Sequence, residues 1–220
     1  MADIEKAESE LLLDPAFFTS LPGRLSNIDH VEILPRGYMP STSSAATGYN
    51  AVLHIKQEHA QTSVQSLRIG QATWIDFNSE DFNRKSLSHL LSNSHGSALV
   101  VVENIPDSKT SLERSVIELL NTFEQSADVG ADEKWLNRAH QQASLRPCMS
   151  TTDLIMLAQQ TGWQIELSWA RQRTQNGGMD AVFYRGHQAP GSSGRVKFRF
   201  PVEDHGRLYS SLSSHPLRRG

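Results

Sequence analysis

The sequence contains one cysteine, no excess of basic residues and no long apolar run, and each absence excludes a class of protein. With Cys148 alone among 220 residues, neither an internal disulfide nor a thiolate metal cage can form. No segment approaches the roughly 20 consecutive apolar residues that a membrane-spanning helix needs. The formal net charge of -3 gives no broad attraction to nucleic acid or to an anionic membrane. We therefore expect neither of these as a partner.

Several motifs that carry well-known chemistry are missing as well. The nine histidines show no H-x-H, H-E-x-x-H or H-x-x-x-D spacing, so we expect no bound metal. The G-x-S-x-G nucleophile elbow and the phosphate-binding G-x-x-x-x-G-K motif are also absent. The first residues contain neither the basic nor the apolar segment of a secretory signal, and together with the lone cysteine this predicts a cytoplasmic location.

What the chain does contain is an alternation of short strand-like runs and helical patterns. The apolar run in "SALVVVENIP" is typical of a strand covered on both faces. The helical patterns include an opening helix with Ile4, Ala7, Leu11 and Leu12, and later ones around Leu87, over 110–123, around Trp135 and over 150–162. The other strand-like runs cover 30–35, 49–57, 72–77, 164–172, 178–185 and 195–202. We expect one compact α+β domain over 1–205, followed by a polar tail over 206–220.

Three stretches carry a resemblance to a known family. In this order they are "ELLLDPAFFTSLPGRL" with "HVEILP" and "AVLHI", then "NIPDSKTSLERSVIELL", and then "LIMLAQQTGWQIELSWARQ" with "GGMDAVFYR". Together they resemble the C-terminal half of the N-methyltransferase domain of fungal nonribosomal peptide synthetases. The resemblance implies a partial methyltransferase-like sheet, made of its last helix and last two strands, followed by an α/β subdomain.

The cofactor-binding half of such a methyltransferase has no counterpart in this sequence. Class I methyltransferases hold S-adenosylmethionine over a glycine-rich turn, where the backbone must approach the ligand closely. None of the 14 glycines here are spaced as G-x-G, and no strand-helix-strand unit with a ribose-binding acid precedes the last two strands. We expect no cofactor, and in particular no binding of S-adenosylmethionine by this chain alone.

Three candidate proton-transfer groups lie in the strand-like runs. Glu103 follows the apolar run, where partial burial would raise the pKa of its carboxyl toward that of a general acid or base, and Asn104 beside it is a candidate substrate contact. His54 lies in "AVLHI", and Asp76 shares a strand face in "TWIDF" with Trp74, a second candidate substrate contact. For each of the three ionisable groups the alternative is a structural role: a surface carboxylate, a hydrogen-bonded sheet histidine or a hydrogen-bonded edge carboxylate.

The stretch "SWARQRTQNGGMD" is the most unusual one. Strand alternation places Trp169 and Arg171 on one face, where a guanidinium beside an aromatic ring suits a planar or polarised ligand. Tyr184 shares a face with Asp180 and would bring a phenol to the same place. The alternative is that Arg171 forms a structural salt bridge with Asp180 across the hairpin.

Two functions remain open at this point. The first is a cofactor-independent tailoring enzyme of fungal specialised metabolism, a cyclase or isomerase that acts on a peptide-derived or apolar small molecule, with Glu103 or His54 moving a proton and Arg171 stabilising negative charge. The second is a non-catalytic partner that docks on a synthetase or a methyltransferase. In both cases an incomplete sheet has an edge to cover, so we expect a homodimer or a tight synthetase partner.

Overall fold

The computed structural model describes residues 13–35, 48–56, 66–69, 73–79, 82–94, 96–125, 134–185, 197–203 and 212. Its helices are α1 (Pro15–Thr19), a short 3-10 turn (Leu21–Gly23), α2 (Arg84–Asn93), α3 (Ser111–Gln125), α4 (Lys134–Leu145) and α5 (Thr151–Gln160). Its strands are β1 (Ile28–Pro35), β2 (Tyr49–Ile55), β3 (Ser66–Arg68), β4 (Ile75–Asp76), β5 (Leu99–Pro106), β6 (Gln164–Ser168), β7 (Gly178–Tyr184) and β8 (Lys197–Arg199). The expected α+β class is confirmed.

The strands form three sheets rather than one. A four-stranded mixed sheet has the order β4-β5-β7-β6, with β4 parallel to β5 and the other pairs antiparallel. Strands β1 and β2 form an antiparallel pair, and β3 pairs with β8 in parallel. The β1–β2 pair joins the larger sheet at its end, because the backbone N–H of Trp169 donates to the carbonyl of Ile33 at 2.8 Å.

The apolar run in β5 is covered on both faces, as its sequence predicts. Val100 and Val102 belong to the main core, which includes Phe77, Leu87 and other side chains of α2, α5 and β6. Val101 faces the other way into a smaller cluster whose buried members are Ile69, Val101, Val182 and Phe198. A strand that is apolar at consecutive positions can bury both faces in this way.

Helix α5 shows how local sequence sets the ends of an element. The Ser150 hydroxyl accepts from the backbone N–H of Asp153, and the Asp153 carboxylate accepts from the backbone N–H of Ser150, which makes a capping box. At the other end Gly162 has a φ of 72°, and the N–H of Trp163 donates to the carbonyl of Ala158 at 2.8 Å. These features make a Schellman turn, in which glycine commonly takes the left-handed position after the helix.

Two predicted strands are shorter in the structure than in the sequence analysis. The run over 72–77 forms only the two residues of β4, and the run over 164–172 ends at Ser168 in β6, so its predicted extension to residue 172 is wrong. The opening helix falls on residues outside the described ones. The tail over 206–220 is described only at Leu212, which is buried and whose carbonyl accepts from the N–H of Asp14 at 2.8 Å. Among the described helices, none has the length and apolarity to cross a bilayer.

Candidate functional site

The ionic cluster around Arg171 unites three of the predicted site residues. The guanidinium donates from Nε and Nη2 to the two carboxylate oxygens of Asp180, at 2.9 and 2.8 Å. Its Nη2 also donates to Oε2 of Glu103 at 2.8 Å. Arg171 lies in the turn after β6, and its two partners come from β5 and β7, so the cluster ties a turn to the middle of the four-stranded sheet. Both carboxylates are already bound by a side chain of this chain.

Burial governs the charge state of this cluster. Asp180 is only 1% exposed, and this burial raises the pKa of its carboxyl, while hydrogen bonds from Arg171 and Gln175 oppose the rise. Burial also disfavours the charge on Arg171, but its bonds to Asp180 and Glu103 outweigh that effect and raise the pKa of the guanidinium. The arrangement is that of a buried ion pair with Glu103 at its exposed side.

The aromatic ring beside Arg171 belongs to Trp74 and not to Trp169. The guanidinium carbon lies 5.4 Å from the centroid of the Trp74 ring, within cation–π range. Trp169 is 3% exposed, and its indole N–H donates to the carbonyl of Gly177 at 3.0 Å, so it closes the turn from inside the core. Because β6 ends at Ser168, strand alternation does not carry as far as these residues, and the predicted shared face is wrong.

Asp76 and Asn104 form a second, polar contact at the edge of the same sheet. Asp76 Oδ1 accepts from the backbone N–H of Asn78 at 2.9 Å and from Nδ2 of Asn104 at 3.3 Å. Asn104 has a φ of 60°, which coincides with the register shift of β5 between Val102 and Ile105. A positive φ at a bulge suits asparagine better than most residues. Asp76 is therefore a hydrogen-bonded carboxylate at the sheet edge, which is the structural alternative to a catalytic role.

Tyr184 lies farther along β7, in the smaller apolar cluster. Its ring packs on that of Phe198, with centroids 4.9 Å apart. The phenol therefore belongs to the packing between β7 and β8.

His54 belongs to a separate cluster on the β1–β2 pair. The rings of His30 and His54 stack with their centroids 4.0 Å apart and their planes within 3°. Oε1 of Glu32 lies 3.0 Å from Nε2 of His54 and 3.5 Å from Nε2 of His30. On its other side, Nδ1 of His30 lies 2.9 Å from the Asp29 carboxylate, which Arg199 binds with two hydrogen bonds of 2.9 Å.

A cavity of about 670 Å³ adjoins this histidine cluster. Its wall combines the five polar side chains just described with Glu166 and with apolar side chains, which include Val31, Ile33, Leu34, Val52, Phe198 and Phe200. Glu103, Arg171 and Asp180 are not among its lining residues. The structure thus divides the predicted catalytic set into three places: the self-paired ionic cluster, the Asp76 contact at the sheet edge, and the histidine cluster at a cavity.

His30 and Glu32 were not predicted from the sequence as site residues. The signal in the sequence was that residues 30, 32 and 54 lie on two successive strand-like runs. The register of these two strands then pairs His30 with His54. A search for metal or catalytic spacings within one segment cannot detect a set assembled across two strands.

Relatives that match this chain over its whole length are fungal nonribosomal peptide synthetases. The chain is 43% identical over 220 residues to nonribosomal peptide synthetase dtxS1 of Metarhizium robertsii, matching 100% of this chain and 3% of that protein. It is 41% identical over 218 residues to nonribosomal peptide synthetase asqK of Emericella nidulans, with 99% of this chain and 8% of the synthetase covered. It is 39% identical over 227 residues to cyclosporin synthetase simA of Tolypocladium inflatum, matching 99% of this chain and 2% of that protein.

These matches relate the chain to a short segment of very long proteins. The chain spans from 2% to 8% of the length of the relatives that it matches here. No family model matches it. The similarity supports the expected connection with specialised metabolism and with nonribosomal peptide synthetases.

Proposed function

We propose that this chain is the counterpart of the C-terminal half of a synthetase N-methyltransferase domain and acts as a non-catalytic partner that docks on a cofactor-binding half. The observation that carries this proposal is the self-pairing of Arg171 with Asp180 and Glu103. A guanidinium that already binds two carboxylates of its own chain is not free to stabilise charge on a substrate. The paired cluster supports the structural alternative and, with it, the docking role.

The surface that we propose for docking is the outer side of β2. Among the described residues, β2 pairs only with β1, so its other edge has no strand partner there. Leu53 and Ile55 on this strand are 40% and 54% exposed. An unpaired strand edge with exposed apolar side chains favours addition of another strand or face.

Sedimentation velocity on mixtures tests this proposal. The full chain is mixed with the cofactor-binding half of an N-methyltransferase domain from a fungal synthetase, and we expect a one-to-one complex. The double variant Leu53→Asp/Ile55→Lys should abolish the complex, because it places charges on the docking strand. Leu145→Asp is the matched control, since Leu145 is 83% exposed at the end of α4 and far from β2 in sequence.

Two results would contradict the docking proposal. One is a mixture in which the two components sediment separately. The other is equal weakening by the Leu145 and the β2 variants. Self-association of the chain that the β2 variant abolishes would instead assign this edge to a homodimer.

The tailoring enzyme stays a second candidate because of one observation, the cavity beside His54. An apolar cavity with a few converging polar groups is the usual setting of a small-molecule site. In this candidate His54 and Glu32 move the proton, and Glu103 and Arg171 have no chemical part. Ring closure of a linear peptide thioester, followed by mass spectrometry, should then be accelerated by the chain and slowed about 10²-fold or more in His54→Gln. An unchanged rate on adding the parent chain would contradict it.

A further inference from the structure

We propose that His30, Glu32 and His54 form a binding site for one divalent transition-metal ion, with Zn²⁺ as the best match. The three side chains each offer one ligand atom, and these atoms all lie within 4.8 Å of one another. Two imidazoles and one carboxylate are a common ligand set for Zn²⁺ with an open fourth position. This inference is independent of the docking role proposed above.

The spacing of the ligand atoms fits a tetrahedral ion. Ligands about 2.0–2.1 Å from a tetrahedral Zn²⁺ lie about 3.3–3.4 Å from one another. The two measured separations from Glu32 Oε1 to the histidine Nε2 atoms, 3.0 and 3.5 Å, lie on either side of that value. The two rings lie in nearly parallel planes, so at least one imidazole must rotate out of the stack for both Nε2 lone pairs to point at one ion.

The tautomer of His30 is set for metal binding by Asp29. A carboxylate only accepts, so the 2.9 Å contact requires that Nδ1 of His30 carries the proton. Asp29 is held in place by Arg199. In a neutral ring the lone pair is then on Nε2, which is buried and has no hydrogen-bond partner among the described residues. A carboxylate that orients a ligating histidine is the usual outer shell of a protein zinc site.

The charges near the cluster also favour a cation. The carboxylates of Asp29, Glu32 and Glu166 line the cavity, and among its described lining residues Arg199 is the one arginine or lysine, bound to Asp29. A divalent ion would be attracted by these carboxylates. Its fourth position would face the cavity.

The test uses the untagged full chain after treatment with a chelator. Calorimetric titration with Zn²⁺ at neutral pH should saturate at one ion per chain, and Co²⁺ should produce the visible absorption of a four-coordinate site. His54→Gln removes a ligand and should weaken the affinity by more than about 100-fold. Asp29→Asn removes the orienting carboxylate and should weaken it by about 10–100-fold.

His140→Gln is the matched control, because His140 is exposed on α4 and its replacement removes one histidine without touching the cluster. Its affinity for Zn²⁺ should equal that of the parent. Should a ligand variant fail to fold, the melting temperature of the parent with and without Zn²⁺ replaces it, and a Zn²⁺-dependent rise that Mg²⁺ does not reproduce is the expected result. Absence of saturable binding by the parent, or equal affinity in His54→Gln and His140→Gln, would overturn the proposal.

Discussion

At the scale of single residues, the contacts of Arg171 distinguish a ligand-binding guanidinium from a structural ion pair. The sequence places a guanidinium at the end of an apolar run, which suits ligand binding and structural pairing equally well. The structure gives it two carboxylate partners and the ring of Trp74. Removing one partner of a buried ion pair is costly because the other charge stays buried without compensation. The two carboxylates differ in burial, so they should differ in their contribution to stability.

We predict that Asp180→Asn lowers the free energy of unfolding by about 3 kcal/mol, whereas Glu103→Gln lowers it by about 1 kcal/mol or less. Asp180 is 1% exposed and accepts from both Arg171 and Gln175, while the Glu103 side chain is 29% exposed and accepts one of the bonds described here. Urea unfolding of both variants measures the difference. Similar losses in the two variants would mean that the cluster is not a buried structural pair.

At the scale of elements, α5 is the helix whose two ends are set most directly by neighbouring residues in the sequence. Its capping box and its Schellman turn use residues that are adjacent in the chain, and neither depends on a distant contact. The hydrogen bonds from Ser150 lower the pKa of the Asp153 carboxyl, with a smaller effect from Arg84. A lowered pKa means that the folded state binds this proton less tightly than the unfolded state does.

We predict that Ser150→Ala lowers the free energy of unfolding by about 1 kcal/mol at neutral pH. The contribution of Asp153 to the cap is present above the ordinary carboxyl pKa of 3.8 and is lost as the pH falls through its lowered pKa in the folded state. The difference between variant and parent should therefore shrink in strong acid. Unfolding curves at several pH values measure it, and Thr152→Ala, an exposed position in the same turn, should cause no loss.

At the scale of the whole molecule, the described residues form sheets that end at open edges. The β1–β2 pair is connected to the four-stranded sheet through one backbone bond from Trp169 to Ile33, and the cavity lies where this pair, β6 and the β8 region meet. The full-length matches to synthetases cover a small fraction of those proteins. Open strand edges among the described residues favour the addition of another chain, which is what the docking proposal requires.

We predict that the chain alone shows no saturable binding of S-adenosylmethionine or of its demethylated product. The glycine-rich turn that would let the backbone approach the cofactor is missing from the sequence. Calorimetric titration measures this, with an intact N-methyltransferase domain of a fungal synthetase as the positive control. A micromolar dissociation constant for the chain alone would contradict the prediction.

The sequence by itself determined the elements whose signals are local. These include the buried strand β5, the capped helix α5 with its glycine turn, and the amphipathic α3, because the periodicity and end signals of each lie within one segment. The sequence also left two roles for Arg171, ligand binding and a salt bridge with Asp180, and the salt bridge is the one observed.

Only the tertiary structure decided which side chains meet. Trp74 replaces Trp169 beside Arg171, because a turn and not a strand follows Ser168, and the position of a turn residue depends on packing rather than on a period of two. His30, Glu32 and His54 come together because the register of β1 against β2 sets them on one face. Register is a long-range property, set by core packing and by the connection between strands, so no spacing along the chain records it.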